Sequence, residues 1–471
     1  MTYRGAWLRG SLGALLVLGL TAGALVACGA AESAPPPVRS YLEGQITVRA
    51  EVDSIPDYRG FEVLVASSTS PSADLDTLGY AVTDSTGFFR MDITAPHRGI
   101  YAVVIARRGQ ILKVDEMVVA DGDSAQMRLV LPAGQRPIAV RSRENAAWLA
   151  FRNTQAQHNQ ELMKIVQEGA FQEAELRRSI QQTATILWNL QEQYPNTLGG
   201  AMAAAQSIIT LDDWNDSLLV ARMRQIQPDN PRLVDVVRIG RGAVARLAGQ
   251  DSAIAFVRAY QRQVTEPADW AALQSEIVIA YMDSLQNDRA LAAVRELKST
   301  TTDSVWTAWA RQAEYELQHL MPGMPAPGFT ATTYDGEAVS LEDLRGRLVL
   351  LEFYRPELPA FQQELPIRNT LYEVAAPGTF DIVSISLQPD TLLNEAFFEG
   401  RAFPGIHIIG PGGPSYDVAE RYAVTALPTR ILIDPEGRIL SKYVGNAIMA
   451  VRDDVMTRLG LFEDQAGIDG P

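Results

Sequence analysis

Residues 348–366 read LVLLEFYRPELPAFQQELP. Leu348 to Tyr354 is a strand-like run, and the segment around it repeats that texture. Further strand-like runs are Phe380 to Leu387, Ile406 to Ile409, Arg430 to Asp434 and Ile439 to Val444. Helical stretches lie between them and at the end, from Met449 to Leu459. Strand–helix alternation argues for an α/β layer structure over residues 322–462. Pro322, Pro325 and Pro327 mark where it begins, and an acidic tail follows at 463–471.

The whole chain has 471 residues, 47% of them apolar and 21% charged, with a formal net charge of −15. That length predicts about three folded domains. The acidic balance argues against nucleic acid as a partner, because such binding rests on basic patches. There is one cysteine, Cys28. It excludes a disulfide within this chain and any zinc site built on several thiolates. No metal or other cofactor is expected.

Several motifs around the opening stretch resemble the thioredoxin fold, and more closely the TlpA-like redoxins of bacterial envelopes, of the AhpC/TSA type. Pro325-Ala326-Pro327-Gly328-Phe329 resembles their A-P-x-F entry. Asp335-Gly336, Val339-Ser340-Leu341 and Leu344-Arg345-Gly346 resemble the hairpin and the run after it. Leu350 to Tyr354 resembles the strand before the redox motif. Thr425-Ala426-Leu427-Pro428-Thr429 resembles the loop with a cis-proline, and Asp434 to Ile439 the following hairpin.

The family places W-C-x-x-C-R-x-E-x-P after that strand. Here Glu364-Leu365-Pro366 fixes the register, and the two cysteine positions fall on Leu358 and Phe361. The chemistry needs a thiolate lowered in pKa at a helix N-terminus and a second thiol to resolve the mixed disulfide. Leucine and phenylalanine supply neither. The peroxiredoxin pattern would put its cysteine on Gln362. Thiol redox catalysis is therefore not expected, and the chain reads as a non-enzyme. The alternatives are a redoxin-family oxidoreductase, or a thiol-independent enzyme whose site assembles only in space. No G-x-S-x-G elbow supports a hydrolase, and His97, His158, His319 and His407 are scattered. Glu352 matches the family's buried acid, either neutral or paired with Arg355.

What the resemblance leaves is a binding face. The cis-proline loop and the helix start would form a shallow groove for extended peptide, lined by Leu358, Pro359, Phe361, Leu427 and Pro428. The other reading of Leu358 and Phe361 is that they fill the space of a lost disulfide. The expected partner is an envelope protein or peptide.

At the other end, Arg4 and Arg9 precede the apolar run Leu12 to Val26, which ends in Leu25-Val26-Ala27-Cys28-Gly29. A positive stretch, a short apolar stretch and small residues before one cysteine resemble the bacterial lipoprotein signal. The resemblance implies a signal peptide at 1–27, acylation of Cys28, a Pro-rich tether at 28–40 and attachment to a membrane facing the periplasm. Gly29 favours the outer membrane by the enterobacterial sorting rule. The alternative is a secretory signal with a chance cysteine.

Residues 41–137 alternate as strands do, for example Phe61/Val63/Val65 and Met127/Leu129/Leu131. Turn clusters at Asp84-Ser85-Thr86-Gly87 and Asp121-Gly122-Asp123 separate them, which predicts a β-sandwich. The D-S-T-G-F-F pattern resembles carboxypeptidase-regulatory-like sandwiches. Asp121 and Asp123 read as a hairpin turn rather than calcium ligands. Residues 138–321 carry apolar positions at helical spacing, such as Leu273, Ile277, Tyr281 and Leu285, and predict stacked helical hairpins. They hold Trp148, Trp188, Trp214, Trp270, Trp306 and Trp309, read as core rather than a stacking surface. Gly240-Arg241-Gly242 lacks the rest of a phosphate loop.

Overall fold

The structure, a computed structural model, describes residues 36–461 apart from 50–56, 68–75, 135–136, 168–172, 402 and 414–415. The leader 1–27, Cys28, most of the tether and the tail lie outside the described residues. The chain divides into two compact units, with the division after Thr265.

Among the described residues the first unit opens with eight strands: β1 (Val38–Val48), β2 (Phe61–Ala66), β3 (Thr77–Val82), β4 (Phe88–Ala95), β5 (Gly99–Arg107), β6 (Gln110–Val119), β7 (Ser124–Leu131) and β8 (Ala139–Arg141). They form two four-stranded sheets, ordered β4-β1-β7-β8 and β3-β2-β5-β6. Strands β4 and β7 alternate strictly between exposed and buried residues. Their inner side chains join Leu42, Ile46, Phe61, Val63, Val65, Val103 and Ile105 in one core. Two boundaries move relative to the sequence reading. Strand β1 starts at Val38, inside the stretch assigned to the tether, because Val38 already pairs with Ala95. Strand β8 falls within the stretch assigned to helices, where it pairs with β7.

The Asp84 turn is built by its carboxylate. Oδ1 accepts from the amides of Thr86 (2.8 Å) and Phe88 (3.1 Å). Gly87 follows at φ 79°, and a Cβ there would lie 2.0 Å from the Ile46 carbonyl oxygen. Asp121 and Asp123 flank the turn between β6 and β7, and Asp121 accepts from the Arg39 amide (3.1 Å).

Among the described residues six helices complete this unit: α1 (Arg143–Gln167), α2 (Glu173–Gln193), α3 (Leu198–Thr210), α4 (Asp216–Met223), α5 (Leu233–Ala248) and α6 (Gln250–Gln261). Trp148, Phe151 and Leu187 pack with Val118 of β6. Asn145 bonds both main-chain groups of Val118, at 2.8 and 3.0 Å, and so covers part of that edge strand. Gly240-Arg241-Gly242 lies inside α5. A Cβ on Gly240 would come within 2.8 Å of the Phe256 ring of α6, so this glycine serves helix packing. Trp148 and Trp188 are buried, whereas Trp214, Trp270, Trp306 and Trp309 are half-buried.

The second unit begins with α7 (Pro267–Asp283), α8 (Asn287–Thr300) and α9 (Ser304–His319). Leu285 falls past the end of α7, at φ 55°, and does not continue its apolar row. Strands β9 (Thr330–Thr332) and β10 (Ala338–Ser340) form a small hairpin. Then come β11 (Leu348–Tyr354), α10 (Pro359–Val374), β12 (Phe380–Ser386), α11 (Thr391–Phe398), β13 (Ile406–Ile409), α12 (Asp417–Arg421), β14 (Thr429–Ile433), β15 (Ile439–Val444) and α13 (Ile448–Arg458). The sheet order is β13-β12-β11-β14-β15, with β12 and β13 parallel to β11 and β14 antiparallel to it. Every residue of β11 is buried because both faces are covered. Val349, Leu351 and Phe353 face one core, which also takes in Leu320 and Tyr315 of the α9 end. Leu348 and Leu350 face the other, with Leu371, Val451 and Val455 of α10 and α13. Among the described residues no helix is long and apolar enough to cross a membrane.

Candidate functional site

Phe353 of β11 pairs with Thr429 of β14. The chain therefore leaves β11 and enters β14 at the same end of the sheet. Leu358 caps the N-terminus of α10, and Pro359 occupies its first turn, where the missing amide costs nothing. The Leu427–Pro428 peptide is cis. Leu358 and Leu427 are half-buried, Pro359 is exposed and Pro428 is buried. Among the described residues neither main-chain polar group of Leu427 meets a partner.

Phe361 is not a groove residue. It is 0% exposed and stacks on Tyr354 at 4.3 Å between ring centroids. Phe397 and Phe403 close the cluster at 6.2 and 6.1 Å. The helix turns this position inward, so the Phe361 ring fills core space and is not available to a ligand. Of the five residues assigned to the groove, Phe361 and Pro428 are buried.

Below this aromatic cluster a polar row crosses the sheet. Glu352 pairs across strands with Ser384 and with Arg430, Ser384 with His407, and Arg430 with Tyr443. Helix α10 adds Glu364 and Arg368. The Glu352 carboxylate accepts from Arg430 Nε (2.7 Å), Arg368 Nε (3.1 Å) and Ser384 Oγ (3.1 Å). Arg430 also donates to Glu364 (2.8 Å). Both glutamates and both arginines are buried. The expected Arg355 partner is wrong: Arg355 lies past the strand end, 3.5 Å from Glu357.

The two acids are tuned in opposite senses. Burial pushes the Glu352 carboxyl up, but the guanidiniums of Arg430 and Arg368 outweigh it and hold it below the usual carboxylate range. Glu364 has a smaller share of that charge, and burial raises it in spite of Arg430. Burial and the nearby Arg368 push His407 down to about 4. His407 is therefore neutral near pH 7, with Nε2–H donating to the Phe403 carbonyl. Arg368 also stacks over Phe403 at 4.0 Å. A carboxylate clamped by two cations is a poor proton shuttle, so this row holds charge rather than moving protons.

Sequence reasoning missed Arg368 and Arg430. A signal was present: Arg430 is a cation inside the run TRILI, whose other members are apolar or small. Among the described residues no cluster of metal-ligating side chains occurs.

The family model described as the AhpC/TSA family matches residues 322–442. This stretch is a redoxin domain of thioredoxin fold. The thiol-disulfide oxidoreductase ResA of Bacillus anthracis is 28% identical over 135 residues, covering 27% of this chain and 72% of that protein. Two solved structures cover the redoxin domain. The thiol-disulfide oxidoreductase from Bacteroides fragilis NCTC 9343 is 28% identical, over 28% of this chain and 98% of that one, with a TM-score of 0.25. The thioredoxin domain of a Bacteroides vulgatus thiol-disulfide oxidoreductase is 26% identical, over 29% and 99%, with a TM-score of 0.27. Residues 322–442 contain no cysteine.

Proposed function

We propose that this chain is an envelope lipoprotein whose redoxin domain binds an extended protein segment without thiol chemistry. Its front part is read as a β-sandwich and its middle as helical hairpins, and Cys28 is read as the acylated anchor. The observation that carries the reading is Phe361: its burial in an aromatic cluster makes the former redox position part of the core. The binding face is then Leu358, Pro359 and the free main-chain edge at Leu427, which suits pairing with a peptide backbone. The relatives' names favour a second reading, a thiol-disulfide oxidoreductase. That reaction needs two sulfur atoms, and the only cysteine here is Cys28.

Two measurements separate these readings. Insulin reduction and peroxide consumption by the purified chain should equal buffer, and turnover above buffer ends the thiol-free reading. Envelope partners captured by the native chain should be lost from a Leu358→Asp/Leu427→Asp variant with an unchanged melting temperature. Full retention ends the groove reading. Phe361→Asp is unsuitable here because it buries a carboxylate.

A further inference from the structure

The hairpin joining β5 to β6 carries a surface that the redoxin site does not use. Arg108 and Gly109 form its two-residue turn, at φ 53° and 77°, the positive pair that a tight hairpin between twisted strands requires. Just beyond the turn the ladder slips: Ile105 pairs with Lys113, but Ala106 pairs with Ile111. Leu112 is thus an extra residue in a bulge. In a regular strand Ile111 and Leu112 would point to opposite faces, one of them toward the core. Here both reach solvent, 54% and 42% exposed.

Cations surround them. Arg107 lies over the Phe61 ring at 4.3 Å and donates to the Arg59 carbonyl (3.1 Å), and Lys113 donates to the Gly134 carbonyl (3.2 Å). These partners are an uncharged ring and main-chain oxygens. Among the described residues Arg107, Arg108 and Lys113 meet no carboxylate. Arg59 adds a fourth cation, 3.5 Å from Asp57. This cationic tip belongs to a chain of formal net charge −15.

Two neighbouring aliphatic side chains flanked by Arg107, Arg108 and Lys113, which meet no carboxylate among the described residues, match an anionic bilayer. The aliphatic groups enter the acyl boundary while the cations stay among the headgroups. A protein interface typically buries about 800 Å² per partner, more than a two-residue turn and its flanks present. We propose that the β5–β6 tip inserts Ile111 and Leu112 into anionic lipid, held there by Arg107, Arg108 and Lys113. The proposal does not depend on acylation of Cys28. It is compatible with it: nine residues lie between Cys28 and Val38, the start of β1, a reach of at most roughly 36 Å over ten Cα steps.

The test uses residues 28–471 with Cys28→Ser, so that acylation plays no part. Vesicles of phosphatidylcholine with about a third phosphatidylglycerol are compared with phosphatidylcholine alone by cosedimentation. The protein should bind only the anionic vesicles, and less as salt is added. Ile111→Ser/Leu112→Ser should lower the partition coefficient roughly tenfold, and Arg108→Gln about fivefold. Both should melt at the parent temperature, since these side chains are exposed. Val305→Ser, which removes an aliphatic side chain 69% exposed on α9, should change nothing. Leu112→Trp should shift its emission to the blue on anionic vesicles. Equal binding to both vesicle types, undiminished binding by the double variant or an unmoved tryptophan spectrum overturns the proposal.

Discussion

Glu352 is the residue on which the redoxin core is most dependent. Its carboxylate balances two buried guanidiniums, so among the described residues Glu352→Gln leaves Arg368 without a carboxylate partner and Arg430 with Glu364 alone. Breaking a buried pair of this kind costs about 3–5 kcal/mol. Urea unfolding of Glu352→Gln should show a loss of that order. The pH dependence has a definite sign. Glu352 is lowered in the folded state. Its stabilisation is therefore full above the unfolded value, about 4.3, and is lost as pH falls through the lower folded value. Glu364, raised by burial, works the other way: its contribution is full below about 4.3 and fades as pH rises through the folded value. Glu352→Gln should accordingly flatten the acid limb of the stability–pH profile, and Glu364→Gln should not. A Glu364→Gln profile as flat as that of Glu352→Gln would reverse the assignment.

At the scale of elements, the start of α10 leaves Leu358 half-buried and hides Phe361 completely. In a Cys28→Ser background, Leu358→Cys would put a thiol at the N-cap, where the helix dipole lowers its pKa below the free value of about 8.5. Iodoacetamide should label it rapidly in the native protein. Phe361→Cys should resist labelling until denaturant is added, because that position is fully buried. Equal labelling of both would contradict the assigned packing. The elements of this domain were legible in the sequence. Leu348 to Tyr354, Ile406 to Ile409 and Ile439 to Val444 coincide with β11, β13 and β15. Dense apolar runs bounded by glycine and proline carry that information locally. The polar row was not legible: Glu352, Ser384, Arg430 and Arg368 lie on four different elements and meet only once the registers are set. The inward face of Phe361 was likewise a property of helix orientation, which spacing alone does not give.

At the scale of the molecule, a cut at residue 322, where the prolines suggest one, would strip the redoxin domain of part of its core. Tyr315 and Leu320 pack into it, and Tyr315 donates to the Arg421 carbonyl (3.0 Å). Lys442, itself buried, pairs with Glu316 of α9 at 3.1 Å. A fragment of residues 322–461 should therefore melt well below one of residues 266–461, because the cut removes the apolar cover of Tyr315 and Leu320 and the Glu316 partner of Lys442. Calorimetry of the two fragments is the check, and equal melting temperatures would show that α9 adds nothing to the domain.

The row of polar residues also indexes the sheet. A slip of one residue between β11 and β14 would turn Arg430 to the opposite face, among Val349, Leu351 and Phe353 of β11. A slip of two would keep the face but set Glu352 against Leu432 or Pro428 and take Arg430 away from its carboxylate. Apolar strands with branched side chains on both faces tolerate such shifts, since one aliphatic layer resembles the next. Glu352 and Arg430 do not, and they act as the pins that let β11 and β14 close in a single alignment.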